Sequence, residues 1–136
     1  MKHIVWLSFD GNCREAMEYY AKIFKTEVGG VLACGDTPPD LNNPILESDK
    51  DKVAISDMQI GGVKMHFGDR LSTDLPFIVG NNVSHQLFFE DKEEAIRIFN
   101  ELKEGGKVLQ ELHKPFYTEL FGMIADKFGV IWQILV

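Results

Sequence analysis

His66 and His85 are the residues of this chain best suited to chemistry, because an imidazole can trade a proton near neutral pH, orient a polar ligand or bind a metal. Both stand in alternating runs, Val63-Lys64-Met65-His66-Phe67 and His85-Gln86-Leu87-Phe88-Phe89, that read as β-strands. A half-buried, hydrogen-bonded sheet histidine is the common fate of such residues, so residue type alone leaves both readings open. Cys13 opens a helical pattern, where the helix dipole lowers a thiol pKa, but Arg14 is its only adjoining basic residue; a partly buried, inert thiol is expected. Cys13 and Cys34 have neither metal-site spacing nor partners for a disulfide framework, which fits reduced thiols in a cytoplasm. Asp57, Asp69 and Arg70 are expected to be solvated rim charges. Gly61-Gly62 and Gly105-Gly106 fall at a hairpin and a helix end. Neither is the strand-to-helix turn that holds a methyl donor in a doubly wound sheet.

The elements that must position these residues occur twice. Leu7-Ser8-Phe9-Asp10 leads into Glu15-Ala16 and Tyr20, and Leu87-Phe88-Phe89-Glu90 leads into Glu94-Ala95 and Phe99, at offsets of 80 and 79. Gly62-Val63-Lys64-Met65-His66-Phe67 matches Gly129-Val130-Ile131-Trp132-Gln133-Ile134 at an offset of 67. A duplication at nearly fixed offset is first a signal of fold. The second copy is shorter mainly because residues 35–51, rich in Pro, Asn and Asp, have no counterpart in it. A loop of that length is either a functional flap or a tolerated surface insertion.

Hydrophobic period supplies the elements. Both face sets of residues 4–9 are largely apolar, as in a strand covered on two sides. Asn12 with Glu15 suggests a capping box, and Ala16, Tyr20, Ile23 and Phe24 form the inner stripe of a helix ending near Lys25. Strands are predicted over 26–34, 53–60 and 63–67. The second half repeats the order, with a strand over 83–90, a helix capped by Asp91 with Ala95, Phe99 and Leu102 inward, and strands over 107–112, 119–125 and 130–135. The predicted fold class is α+β, two tandem βαβββ modules spanning 1–70 and 83–136 with a connection at 71–82. At 136 residues and 45% hydrophobic content the two halves together make one ordinary domain, while each alone would be marginal. No apolar run approaches membrane-spanning length, and a net charge of −7 suits neither nucleic acid nor an anionic surface.

The two modules, with Phe9-Asp10-Gly11-Asn12, Tyr19-Tyr20, Glu93-Glu94-Ala95, Phe121-Gly122-Met123 and Asp126-Lys127-Phe128-Gly129-Val130-Ile131-Trp132-Gln133, resemble the vicinal oxygen chelate superfamily. Within it they look like PhnB-like proteins, also labelled demethylubiquinone methyltransferase-like. The resemblance covers nearly the whole chain. It implies a glyoxalase/bleomycin resistance-like fold in which each module curls a mixed sheet around a concave pocket, often completed in a homodimer. In metal-dependent relatives the ligands come from one position on the first and last strand of each module, which here implies Val5, His66, His85 and Gln133. The repeat agrees, since Val5 aligns with His85 and His66 with Gln133.

Val5 has no donor and the set lacks a carboxylate, so the usual chelate is incomplete. The leading expectation is therefore small-molecule binding without a metal cofactor, on a wall of Val5, Leu7, Phe9, His66, His85, Leu87, Phe89 and Gln133. The alternative is a lyase, isomerase or dioxygenase holding a divalent metal ion through His66, His85 and Gln133. Strand alternation puts Met65 and Trp132 on the opposite face, under the helices. Phe116 and Tyr117 are expected to cover the pocket mouth. A small-molecule ligand and a second copy of the chain are the expected partners, with no nucleic acid or membrane.

Overall fold

The computed structural model describes residues 1–136, which divide into two compact units, Met1–Phe77 and Ile78–Val136. In the first, β1 (Val5–Phe9), α1 (Cys13–Phe24), β2 (Leu32–Ala33), β3 (Val53–Ile60) and β4 (Val63–Asp69) form a four-stranded mixed sheet in the order β1-β4-β3-β2. The second holds β5 (His85–Phe88), α2 (Lys92–Lys103), β6 (Lys107–His113), β7 (Phe121–Ala125) and β8 (Ile131–Leu135), in the order β5-β8-β7-β6. In both units the first strand pairs parallel with the last, and the remaining pairs are antiparallel. The duplicated βαβββ pattern is thus a duplicated topology.

Each helix covers one face of its own sheet. Along α1, Cys13, Ala16, Met17, Tyr20 and Ile23 recur at helical spacing and are buried, and the Tyr20 ring lies 6.1 Å from that of Phe67 on β4. Phe9 also stacks on Phe67, at 6.1 Å. Along α2, Ala95, Ile98, Phe99 and Leu102 do the same over β7 and β8. Gly122 is required there, because a Cβ at that position would stand 2.5 Å from the Phe99 ring. Only hydrogen lets the helix come so close to the strand.

The helix starts differ from each other. Asp91 caps α2, its carboxylate accepting the Glu93 N–H at 2.9 Å, as the sequence predicts. Asn12 does not cap α1, for its side chain makes no such bond. The acceptor comes instead from Asp69 at the end of β4, which takes the Cys13 N–H on one oxygen and the Val53 N–H on the other, both at 2.9 Å. Asp69 is thus no solvated rim charge: it ties the starts of α1 and β3 to β4.

Two further expectations are corrected. The strand predicted over 26–34 is only Leu32–Ala33, since Gly29-Gly30 break the ladder and leave Gly29 N–H to Asp57 O, 2.7 Å, as an isolated link to β3. Strand β1 is covered on one face only, with Ser8 exposed and Trp6 48% exposed on the other. The long loop is held at its base by Asp49, 1% exposed, which accepts from the Ser72 N–H and hydroxyl at 2.8 and 2.7 Å and pairs with Lys52 at 2.9 Å. The Ser72 hydrogen bonds, more than Lys52, pull its carboxyl down to about 2.

Because the α1 cap lies on Asp69, Asp69→Ala is expected to cost about 1.5–3 kcal/mol in urea unfolding, as for other charged hydrogen-bond acceptors. Asn12→Ala should cost less than about 0.5 kcal/mol, the scale of an ordinary surface change. Equal losses would return the cap to Asn12.

Candidate functional site

Pairing register decides which side chains share a face. Val5 stands opposite Met65, Leu7 opposite Phe67, and Trp6 opposite His66. Since Met65 and Phe67 are buried against α1, Val5, Leu7 and Phe9 belong to that helix-covered face and His66 to the open one. In the second unit His85 stands opposite Trp132, Leu87 opposite Ile134, and Gln86 opposite Gln133. Trp132 and Ile134 are fully buried, so His85, Leu87 and, by alternation, Phe89 lie on the helix-covered face. Of the eight residues expected to line a pocket, the open faces carry His66 and Gln133 only.

The reason is a shift of one residue. The repeat pairs Val5 with His85 and His66 with Gln133 correctly, but these are equivalences between modules, not shared faces within one. A slip of one position in a strand exchanges its two faces. The open-face partner of Gln133 is Gln86, and that of His66 is Trp6.

The metal reading does not fit this arrangement. His85 and Gln133 lie on opposite faces of one sheet, and the His85 ring is 4.9 Å from the Trp132 ring in the packed layer. The Gln133 carboxamide is also engaged at both ends, its oxygen accepting from Gln86 Nε2 at 3.0 Å and its nitrogen donating to Ser84 Oγ at 2.8 Å. One ion cannot draw on both side chains. No step through a metal is therefore derived. Burial shapes His85 in the same direction: it pushes the imidazole pKa below its ordinary value, outweighing the nearby Asp126 carboxylate, which acts upward.

On the first unit's open face, the Trp6 indole rests against Gly68, where a Cβ would come within 2.6 Å of its Cζ2. Its Nε1 donates to Ser8 Oγ at 3.1 Å, and the His66 ring stands edge-on at 6.0 Å and 72°. Asp57, opposite His66, pairs with Lys64 at 3.1 Å on the same face. On the second unit's open face the Ser84-Gln133-Gln86 chain lies beside Met123 and the exposed Phe88, while Tyr117 and His113 meet Phe121 at 6.1 and 5.8 Å. Trp6, Gln86 and Met123 were not singled out from sequence. Their signal was there, in the polar or exposed partner of each strand's apolar set, but it needed the register to be read. Cys13, with no exposure, is the inert thiol expected, its pKa pushed up to about 12 first by burial and then by Asp69.

Two βαβββ units, each a mixed four-stranded sheet with one helix packed on one face, define a protein of the glyoxalase/bleomycin resistance fold. The sequence profile of the 3-demethylubiquinone-9 3-methyltransferase family matches residues 1–135, and the chain belongs to that family. Protein PA1353 from Pseudomonas aeruginosa is 31% identical, with a TM-score of 0.86 over 99% of this chain and 96% of its own. A putative 3-demethylubiquinone-9 3-methyltransferase, PhnB protein, from Bacillus cereus is 25% identical, with a TM-score of 0.77 over 99% and 98%. Protein YjdN of Escherichia coli strain K12 is 26% identical over 137 residues, 96% of this chain and 92% of that protein.

With its pKa lowered, His85 stays neutral in the fold, so its contribution to stability is complete above its unfolded pKa of about 6.5 and is lost as pH falls through that value. Denaturation at pH 8 and pH 5.5 should show a smaller acid loss in His85→Leu than in the parent. An imidazole pKa above the ordinary value, measured by NMR, would put His85 outside the packed layer.

Proposed function

We propose that this protein binds a small organic molecule carrying a planar ring on the open sheet faces, without a metal ion. The observation that carries this reading is the half-exposed Trp6 indole, seated against Gly68 with His66 edge-on and the Asp57–Lys64 pair beside it. An exposed indole offers a ring both apolar area and a polarised face, and the surrounding imidazole, carboxylate and ammonium supply directional contacts. The Ser84-Gln133-Gln86 chain offers neutral amides for the same purpose on the second unit. Methyl transfer, which the family's name mentions, draws no support from the glycine pairs: Gly61-Gly62 close the β3–β4 hairpin and Gly105 follows the end of α2. Enzyme chemistry would need a proton-transfer group in the site, and His66 is the residue placed for it.

The two tryptophans give a direct assay, because Trp132 is fully buried with its Nε1 on Asp126 at 2.8 Å while Trp6 is open. A ligand found by native mass spectrometry against a metabolite mixture should change Trp6 fluorescence. Trp6→Ala should weaken it about ten-fold or more, the scale of a stacking anchor. His85→Leu should leave affinity unchanged. Full affinity in Trp6→Ala would remove this face from the site.

We further propose that the working form is a homodimer. The sheet orders leave β1, β2, β5 and β6 at edges, and Phe88 is 72% exposed on β5. Light scattering should report about twice the 15.4 kDa chain mass, as for the commonest closed assembly. A mass equal to one chain at every concentration would reject it.

A further inference from the structure

The long loop of the first unit encloses space that the reading above leaves unused. Two clefts of about 330 and 360 Å³ share a wall formed by Cys34, Thr37, Pro38, Asp40 and Ile45. Both volumes fall within the usual size of small-ligand sites, about 300–1,000 Å³. One cleft is mainly apolar, with Pro39, Leu41 and Pro44 added to the shared wall. The other is bounded by Ala54 and Leu71 and by three carboxylates, those of Asp40, Asp69 and Asp74.

The loop is held rather than hanging free. Cys34 N–H and Gly35 N–H bond Lys52 O and Lys50 O at 2.8 Å, Thr37 Oγ1 bonds Cys34 O at 2.7 Å, and Asp49 anchors the far side to Ser72. The charges are unevenly matched. Asp40, Asp69 and Asp74 accept from the backbone N–H groups of Asn42, of Cys13 and Val53, and of Leu71, all of them neutral partners. Of the nearby cations, Lys50 lines the apolar cleft and pairs with Glu47, Lys52 pairs with Asp49 while also attracting Asp69, and Arg70 donates to Leu75 O. Cys34, 2% exposed and in no disulfide, lines both clefts at their junction.

We propose that this loop forms a second small-molecule site, separate from the open sheet faces, which takes a single-ring molecule bearing a primary ammonium group. The ring occupies the proline-lined cleft and the ammonium donates to the carboxylates of the other. An ammonium has three donors and no acceptor, which matches a wall of acceptors already holding neutral backbone partners.

Phenethylamine, phenethyl alcohol and phenylacetate, equal in ring and near-equal in length, test this by amide NMR titration of the full chain. Phenethylamine should shift residues 34–45 saturably and bind about ten-fold more tightly than the alcohol, the worth of one charge-assisted contact. Phenylacetate should leave those residues unmoved. Ile45→Trp should abolish the shifts by filling the apolar cleft. Asp74→Asn, which keeps the acceptor for Leu71 N–H, should narrow the gap between amine and alcohol while the spectrum outside the loop stays unchanged. Equal binding of the three molecules, no saturable shift, or shifts confined to Trp6 and His66 would overturn the proposal.

Discussion

The register of the two parallel strand pairs is the constraint on which the rest of the molecule depends. Val5 opposite Met65, and His85 opposite Trp132, place one face of each sheet against its helix and turn the other outward. Side chains in a strand alternate with a period of two, so no residue can change its role without its whole strand slipping. The packed faces enforce the choice. Slipping β8 by one position would bury the Gln133 carboxamide against α2 and expose Trp132, forfeiting roughly 3–5 kcal/mol of core packing from the indole alone.

Carboxylates hold the turns that fix this register. Asp126, 4% exposed, accepts from Phe128 N–H, Val130 N–H and Trp132 Nε1, binding the β7–β8 turn and satisfying the one polar atom of the buried indole. Asp69 does comparable work between α1, β3 and β4, and Asp49 at the base of the long loop. Each receives more than one hydrogen bond, and a buried acceptor satisfied in this way helps the fold where a lone one would harm it. Part of the acidic excess, Asp49 and Asp126 above all, is therefore architecture.

Much of this was legible in the sequence, and the failures share one cause. The duplication, both helices, the Asp91 cap, the β3–β4 hairpin and the inward Trp132 are local or periodic features, and local features can be read from a single chain. Asp69 as the cap of α1 could not be read, because the acceptor lies 56 residues from its donor. The candidate site went astray for a related reason. The repeat gives equivalence between strands but not which residue of β1 sits beside which residue of β4. Val5 and His85 are the first-strand positions that the family resemblance implies and the repeat aligns, and neither ground shows which face a residue is on. Trp6, one position further along its strand than Val5, looked like one more apolar residue of a doubly covered strand.

The duplication also explains how the two open faces can differ so much. Gene copies that share a topology share the burden of stability through their packed faces, where Tyr20 and Phe67 answer Phe99 and Ile134. The opposite faces bury Phe121, Ile131 and Leu135 in the second unit, but their exposed positions carry little of that burden, since surface substitutions rarely change stability by more than about 0.5 kcal/mol. Those positions are thus free to diverge, and they have: indole, imidazole and an ion pair on one face, a chain of neutral amides with aromatic neighbours on the other. Packed faces leave a periodic trace in the sequence and exposed ones do not, which is why the fold is so much easier to recognise there than a function.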